Sequence, residues 1–78
     1  MSYPHYFIRL NPDERRQMLI KLSQYAVKGQ HSQRRRLQAI YFSDKGETFE
    51  QISKRLNVSY RTVQRWISFY HRKGLNGF

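Results

Sequence analysis

The sequence predicts an all-α fold: a small bundle of four helices, the last two joined by a very short turn, with an extended arm ahead of them. Three observations lead there. Apolar residues recur at spacings of three and four through most of residues 11–73, capping signals precede the periodic runs, and only the first ten residues alternate with period two. A chain of 78 residues has room for one domain. A domain this small buries only roughly 60–65% of its unfolded surface. Without cysteine there is neither a disulfide nor a thiolate zinc site to staple it. Helix packing must therefore supply the core.

Each element has its own signal. In MSYPHYFIRL, Pro4 biases Tyr3 away from the α region, and Tyr6, Ile8 and Leu10 alternate with Phe7 and Arg9. Residues 1–10 are read as an extended arm that lies across the helices or pairs with its counterpart in another chain, and residues 11–78 as the folded domain. Asn11-Pro12-Asp13-Glu14 opens the first helix: Asn11 caps, Pro12 takes the first helical position, and Glu14 closes a capping box. Met18, Leu19, Leu22, Tyr25 and Ala26 are expected on its inner face, and Gly29 at its left-handed end. A second helix is expected from about Ser32 to Ser43, inward through Leu37, Ile40 and Tyr41, with Asp44-Lys45-Gly46-Glu47 as a polar turn. Thr48 and Gln51 form a second capping box, opening a third helix with Ile52 and Leu56 inward and an end near Asn57. Ser59 caps a fourth helix that reaches about Lys73, where Val63, Trp66, Ile67 and Tyr70 share the core face. Gly74 then ends it, with Leu75 folding back.

Charge narrows the function. Fifteen Lys/Arg against five Asp/Glu give a net +10, and residues 48–78 alone carry six basic side chains and one acidic. Such a field repels itself, and a polyanionic partner is the usual reason to tolerate it. Five acids are too few for an elaborate acid–base site, so no enzymatic activity is expected. His5, His31 and His71 lack metal-ligand spacing, so neither a metal nor another cofactor is expected. No apolar run approaches the ~20 residues of a spanning helix, and the N-terminus lacks a signal-peptide core. The expected setting is cytoplasmic and nucleoid-associated, with double-stranded DNA as the partner and no membrane.

The stretch TFEQISKRLNVSYRTVQRWIS has the layout of a helix-turn-helix. The small Ser53 sits where the two helices cross, Val58 plugs the turn, and Val63 and Trp66 return to the same core. On the second helix of this pair, Tyr60, Arg61, Gln64, Arg65 and Ser68 face outward, with Ser59 at the N-terminus. Guanine offers paired acceptors to Arg in the major groove, and adenine a donor–acceptor pair to Gln. Base contacts are therefore expected from Ser59, Tyr60, Arg61, Gln64 and Arg65. Phosphate contacts are expected from Arg34, Arg35 and Arg36, of which one or two can face one way, and from Thr48, Lys54, Arg55 and Ser68. Trp66, in register with Val63 and Tyr70, is expected in the core rather than on a base. Arg72 and Lys73 are explained by the helix dipole alone.

The run RRRLQAIYFSDKGETFEQISKRLNVSYRTVQRWISFYHRKGLNGF resembles the N-terminal DNA-binding domain of mariner-like insertion-sequence transposases, which is itself similar to homeodomains and to the paired-type helix-turn-helix. The Arg-rich second helix, VSYRTVQRW and the closing KGLNGF carry the likeness, and LNPDERRQM extends it to roughly residues 10–78. The resemblance implies a small homeodomain-like bundle that recognises transposon-end DNA through the helix bearing Ser59, Tyr60, Arg61, Gln64 and Arg65. The chain departs from the pattern at Asn57, where the family commonly has Gly; Asn also tolerates the left-handed conformation. Such transposases continue into a catalytic domain with three carboxylates. These 78 residues carry none, so no strand cleavage is expected of them, and a small transcriptional regulator fits the motif equally.

Two alternatives stay open at this point. Tyr3, Tyr6, Phe7 and Phe78 lie outside the expected helices, and as an apolar patch they would close a homodimer together with the N-terminal arm, or serve a protein-interaction module. A +10 surface also suits a non-specific nucleic-acid binder, RNA included.

Overall fold

The structure, a computed structural model, describes residues 8–78. Four helices follow in order: α1 over Pro12–Lys28, α2 over His31–Asp44, α3 over Phe49–Leu56 and α4 over Tyr60–Lys73, with one 3-10 turn at Leu75–Gly77. The described residues contain no strand. The fold is all-α. Of the period-two segment, residues 8–10 lie across the helices, while Tyr3, Tyr6 and Phe7 fall outside the described residues.

The helix ends form where capping chemistry dictates. Asn11 Oδ1 accepts the Glu14 N–H at 2.8 Å and Glu14 Oε1 accepts the Asn11 N–H at 3.0 Å. Thr48 and Gln51 repeat this box at 3.1 and 2.9 Å. Each box satisfies two N–H groups that a helix start otherwise leaves to water. Asn57 closes α3 in the left-handed conformation (φ 57°, ψ 47°), the role for which Asn substitutes for Gly. The two glycines of KGLNGF serve different needs. Gly74 ends α4 at φ 69°, and a Cβ on Gly77 would stand 2.7 Å from Lys73 Cβ and 2.9 Å from the Phe69 ring.

Met18 and Leu22 of α1, Leu37, Ala39 and Ile40 of α2, Phe49 and Ile52 of α3, and Val63 and Ile67 of α4 build one core, with Ile8 and Leu10 sealing it. Several expectations need correcting. Leu19 is 48% exposed and Ala26 is exposed, because α1 is covered by α2 on one side only and a narrow stripe meets it. Phe49, Ala39 and Ser43 are buried although no periodicity singled them out. Phe78 is no free aromatic: its ring meets those of Phe69 at 5.4 Å and Tyr70 at 6.1 Å, and the Tyr25 hydroxyl donates to its carbonyl.

The largest correction concerns Asp44, expected in a solvated turn. Helix α2 runs one residue longer and buries this carboxylate to 3% side-chain exposure. Arg15 Nε donates to it at 2.9 Å and the Leu10 N–H at 2.9 Å, while Ser43 beside it accepts the Ile8 N–H at 2.9 Å. Burial pushes the Asp44 carboxyl up, but hydrogen bonds from Arg15 and Leu10, and the charges of Arg15 and Lys45, outweigh it and hold the group below its ordinary value. A carboxylate with a depressed folded pKa contributes stability above its unfolded value of 3.8 and loses it as pH falls through the folded value. Asp44→Asn should accordingly lower stability at neutral pH by about 1–3 kcal/mol, and urea melts between pH 6 and about 2 should show a smaller loss of stability on acidification than wild type. Gly77→Ala should cost about 1–3 kcal/mol through overpacking, read as a lower Tm.

Candidate nucleic-acid interface

The tight α3–α4 pair is held by Ile52 and Val63, both fully buried, and by Val58, half-buried in the turn. Ser53 is 9% exposed at the contact, and its hydroxyl donates to the Glu50 carbonyl at 2.8 Å rather than standing unpaired. Ser59 Oγ accepts the Thr62 N–H at 3.1 Å and so fixes the first turn of α4. The fourteen residues of α4 extend ~21 Å.

Opposite its core face, α4 lines an open groove of about 580 Å³. Arg61, Gln64, Arg65 and Ser68 stand in it together, and Arg36 reaches it from α2. Positions 61, 65, 68 and 72 follow one helical stripe, which adds Arg72, a residue that dipole compensation had seemed to account for. Trp66 also differs from expectation. It packs against the core and is only half-buried, with its remaining surface in the groove beside Phe69. It is thus an aromatic shared between the core and the groove wall.

Charge is distributed to match. α4 contains no acidic residue, and Arg36, Arg61 and Arg65 form no ion pair among the described residues. The five acids are engaged elsewhere: Asp13 with Arg16, Glu14 in its capping box, Asp44 with Arg15, Glu47 with Arg55 and Glu50 with Lys54. Four arginines surround one groove that no carboxylate lines, which concentrates positive charge there.

The remaining predicted residues are dispersed. Tyr60 is 54% exposed but leans edge-on against Phe49 at 5.7 Å, outside the groove lining. Arg55 is held by both Glu47 oxygens at 2.8 and 3.0 Å and lies 4.7 Å over the Phe42 ring, so a phosphate would have to draw it off two partners. Lys54 makes an exposed 3.7 Å pair with Glu50. The Thr48 hydroxyl is committed to its capping box. Of the arginine triplet only Arg36 lines the groove; Arg35 is exposed elsewhere on α2, and Arg34 Nε is buried without a hydrogen-bond partner.

A model of the homeodomain-like domain matches residues 30–78, which take in α2, α3, α4 and the closing turn. The chain belongs to the homeodomain-like family. Searches of curated proteins and of solved structures return no match. A homeodomain-like helix-turn-helix is a DNA-binding fold and not a catalytic one, and it points to DNA as the partner. Helix α1 lies outside the homeodomain-like match, yet it supplies Met18 and Leu22 to the core. Among the described residues no helix is long and apolar enough to cross a membrane, and no group of three or more His, Asp or Glu is placed to hold a metal.

Asn57 is the one non-glycine residue with positive φ among those described. Asn57→Val should cost about 1–2 kcal/mol from backbone strain at the turn, whereas Asn57→Gly should stay within a few tenths of wild type. Paired chemical melts of the two variants check this.

Proposed function

We propose that this homeodomain-like chain binds double-stranded DNA sequence-specifically, with α4 in the major groove. The observation that carries the reading is the α4 stripe: Arg61, Gln64 and Arg65 project from one rigid helix into a groove without a carboxylate. Arg and Gln are the side chains whose donors and acceptors match guanine and adenine edges. In this assignment Arg61, Gln64 and Arg65 read bases, with Tyr60 and Ser59 at the helix start beside them. Arg36 and Ser68 meet phosphate at the groove, Arg34, Arg35, Thr48 and Lys54 add contacts beyond it, and Arg55 joins only by leaving Glu47. Residues 11–78 form the DNA-binding unit, sealed by Ile8 and Leu10 of the arm. The chain's likeness to mariner-like insertion-sequence transposases over roughly residues 10–78 favours transposon ends as the target, with a regulatory operator as the other use of the same motif.

Selection of bound sequences from a random duplex pool at about 150 mM salt tests the proposal. A recovered motif supports it, and binding without a motif that fades as salt rises reduces the chain to a generic polyanion binder. About six to eight phosphate contacts should give a log–log salt slope near −5 to −7. On the selected site, Arg61→Ala should cost about 1–3 kcal/mol and relax one position, while Lys54→Ala should weaken selected and random DNA alike. Arg36→Ala should reduce the salt slope by about 1. Equal losses on selected and random DNA for Arg61→Ala would remove its base-reading role.

A further inference from the structure

We infer, on the reading that sets α4 in the major groove, that Phe69, flanked by Trp66 and the Thr62 methyl, recognises the 5-methyl groups of thymine. The groove along α4 is lined by two adjoining columns of side chains. Arg61, Arg65, Ser68 and Arg72 form one; Thr62, Trp66 and Phe69, at spacings of four and three, form the other. Holding phosphate calls for the first column alone. Half-buried aromatic surface in an arginine-rimmed groove gains nothing from phosphate and favours an apolar partner. Of the groups that unmodified base pairs present in the major groove, the thymine methyl is the apolar one. A helix that carries Arg and Gln toward base edges therefore has one chemistry left for its apolar column.

The closing turn of the chain holds Phe69 in place. Phe78 meets its ring edge-on at 5.4 Å, and Gly77 lies so close that an added Cβ would stand 2.9 Å from Phe69 Cε2. The Arg72 guanidinium stands 5.9 Å over the same ring as a cation–π partner. A base stacked on that face would displace Arg72, and Phe78 takes up another side of the ring. A methyl group needs only a free edge. The occupant that fits is thus an intact duplex rather than a single strand with splayed bases. Beside Phe69, the Thr62 hydroxyl is tied to Ser59 Oγ at 2.8 Å, so its methyl is the part left for the groove.

The test uses the full chain and a duplex site recovered by selection, with uracil placed at one thymine at a time. Uracil keeps every hydrogen-bonding group of thymine and lacks only its methyl. At one or more positions of the motif the exchange should weaken binding about fourfold, the worth of one buried methylene. Phe69→Ala should bring thymine and uracil duplexes level at those positions, whereas Arg61→Ala should weaken both and leave their ratio unchanged. Circular dichroism verifies that Phe69→Ala folds, and the uracil scan of the wild-type chain stands without any variant. Trp66, the chain's single tryptophan, lines the groove, so its emission should change when the selected duplex binds. A motif with no required T·A pair, uracil tolerated at every position, or a thymine preference that survives Phe69→Ala would each overturn the proposal and leave the α4 reading standing. Failure to recover any motif, or a Trp66 emission indifferent to bound duplex, would instead remove the α4 reading and this inference with it.

Discussion

The carboxylate of Asp44 ties three parts of the chain to one point: the segment ahead of α1, α1 itself and the end of α2. It terminates α2, accepts from Arg15 of α1, and receives the Leu10 N–H from the segment that seals the core. Removing the Asp44 carboxylate from water is costly, and attraction to the partly exposed Arg15 offsets this only where further hydrogen bonds complete the geometry. Here Arg15 also donates to the Leu10 carbonyl at 3.0 Å, so both backbone groups of Leu10 are satisfied by the same ion pair. Leu10 can then bury its side chain at 6% exposure without stranding its peptide groups. In a chain of this size a few such ties decide whether an appended helix docks or drifts, because apolar area alone gives little surplus.

That use of Asp44 belongs to a wider division of labour. Every acidic side chain is engaged at a helix start, an ion pair or both, and none lies on α4. Surface pairs such as Lys54–Glu50 contribute little to stability. Their placement matters more for what it leaves behind, a helix whose arginines have no internal anion to satisfy them. Crowded like charges around the α4 groove repel one another, a repulsion that an external polyanion would relieve. The half-buried Trp66 stands between the core and the groove that those arginines line.

Most of the fold was legible because its signals are local. Capping boxes at Asn11 and Thr48, the left-handed Asn57, the Ser59 cap and the 3.6-residue periodicity of α3 and α4 all act within one or two turns, and residues adjacent in sequence report them directly. Asp44 was misread for the opposite reason. Its partners are 29 and 34 positions away, and a lone Asp ahead of Lys-Gly looks like any turn. Phe78 failed similarly, its pocket being closed by Tyr25 and Phe69 from two different helices. Within the site, the α4 stripe followed from spacing, and the same spacing would have found Arg72 had the helix dipole not supplied a sufficient explanation first. Only the fold separates Arg36 from Arg34 and Arg35, since three consecutive residues on a helix point in three directions and the sequence does not say which meets α4.

The two surfaces of this small bundle are governed by opposite physics, and the fold keeps them apart. On α4 the exposed face is charged, and charge acts at long range and is screened by salt. On α1 the exposed stripe is apolar, acts at contact, and is opposed by the charge that serves the other face. A chain bearing +10 resists self-association, and salt screens that resistance. Because α2 packs against both α1 and α4, it stands between the two surfaces and keeps the apolar stripe of α1 apart from the charged groove of α4.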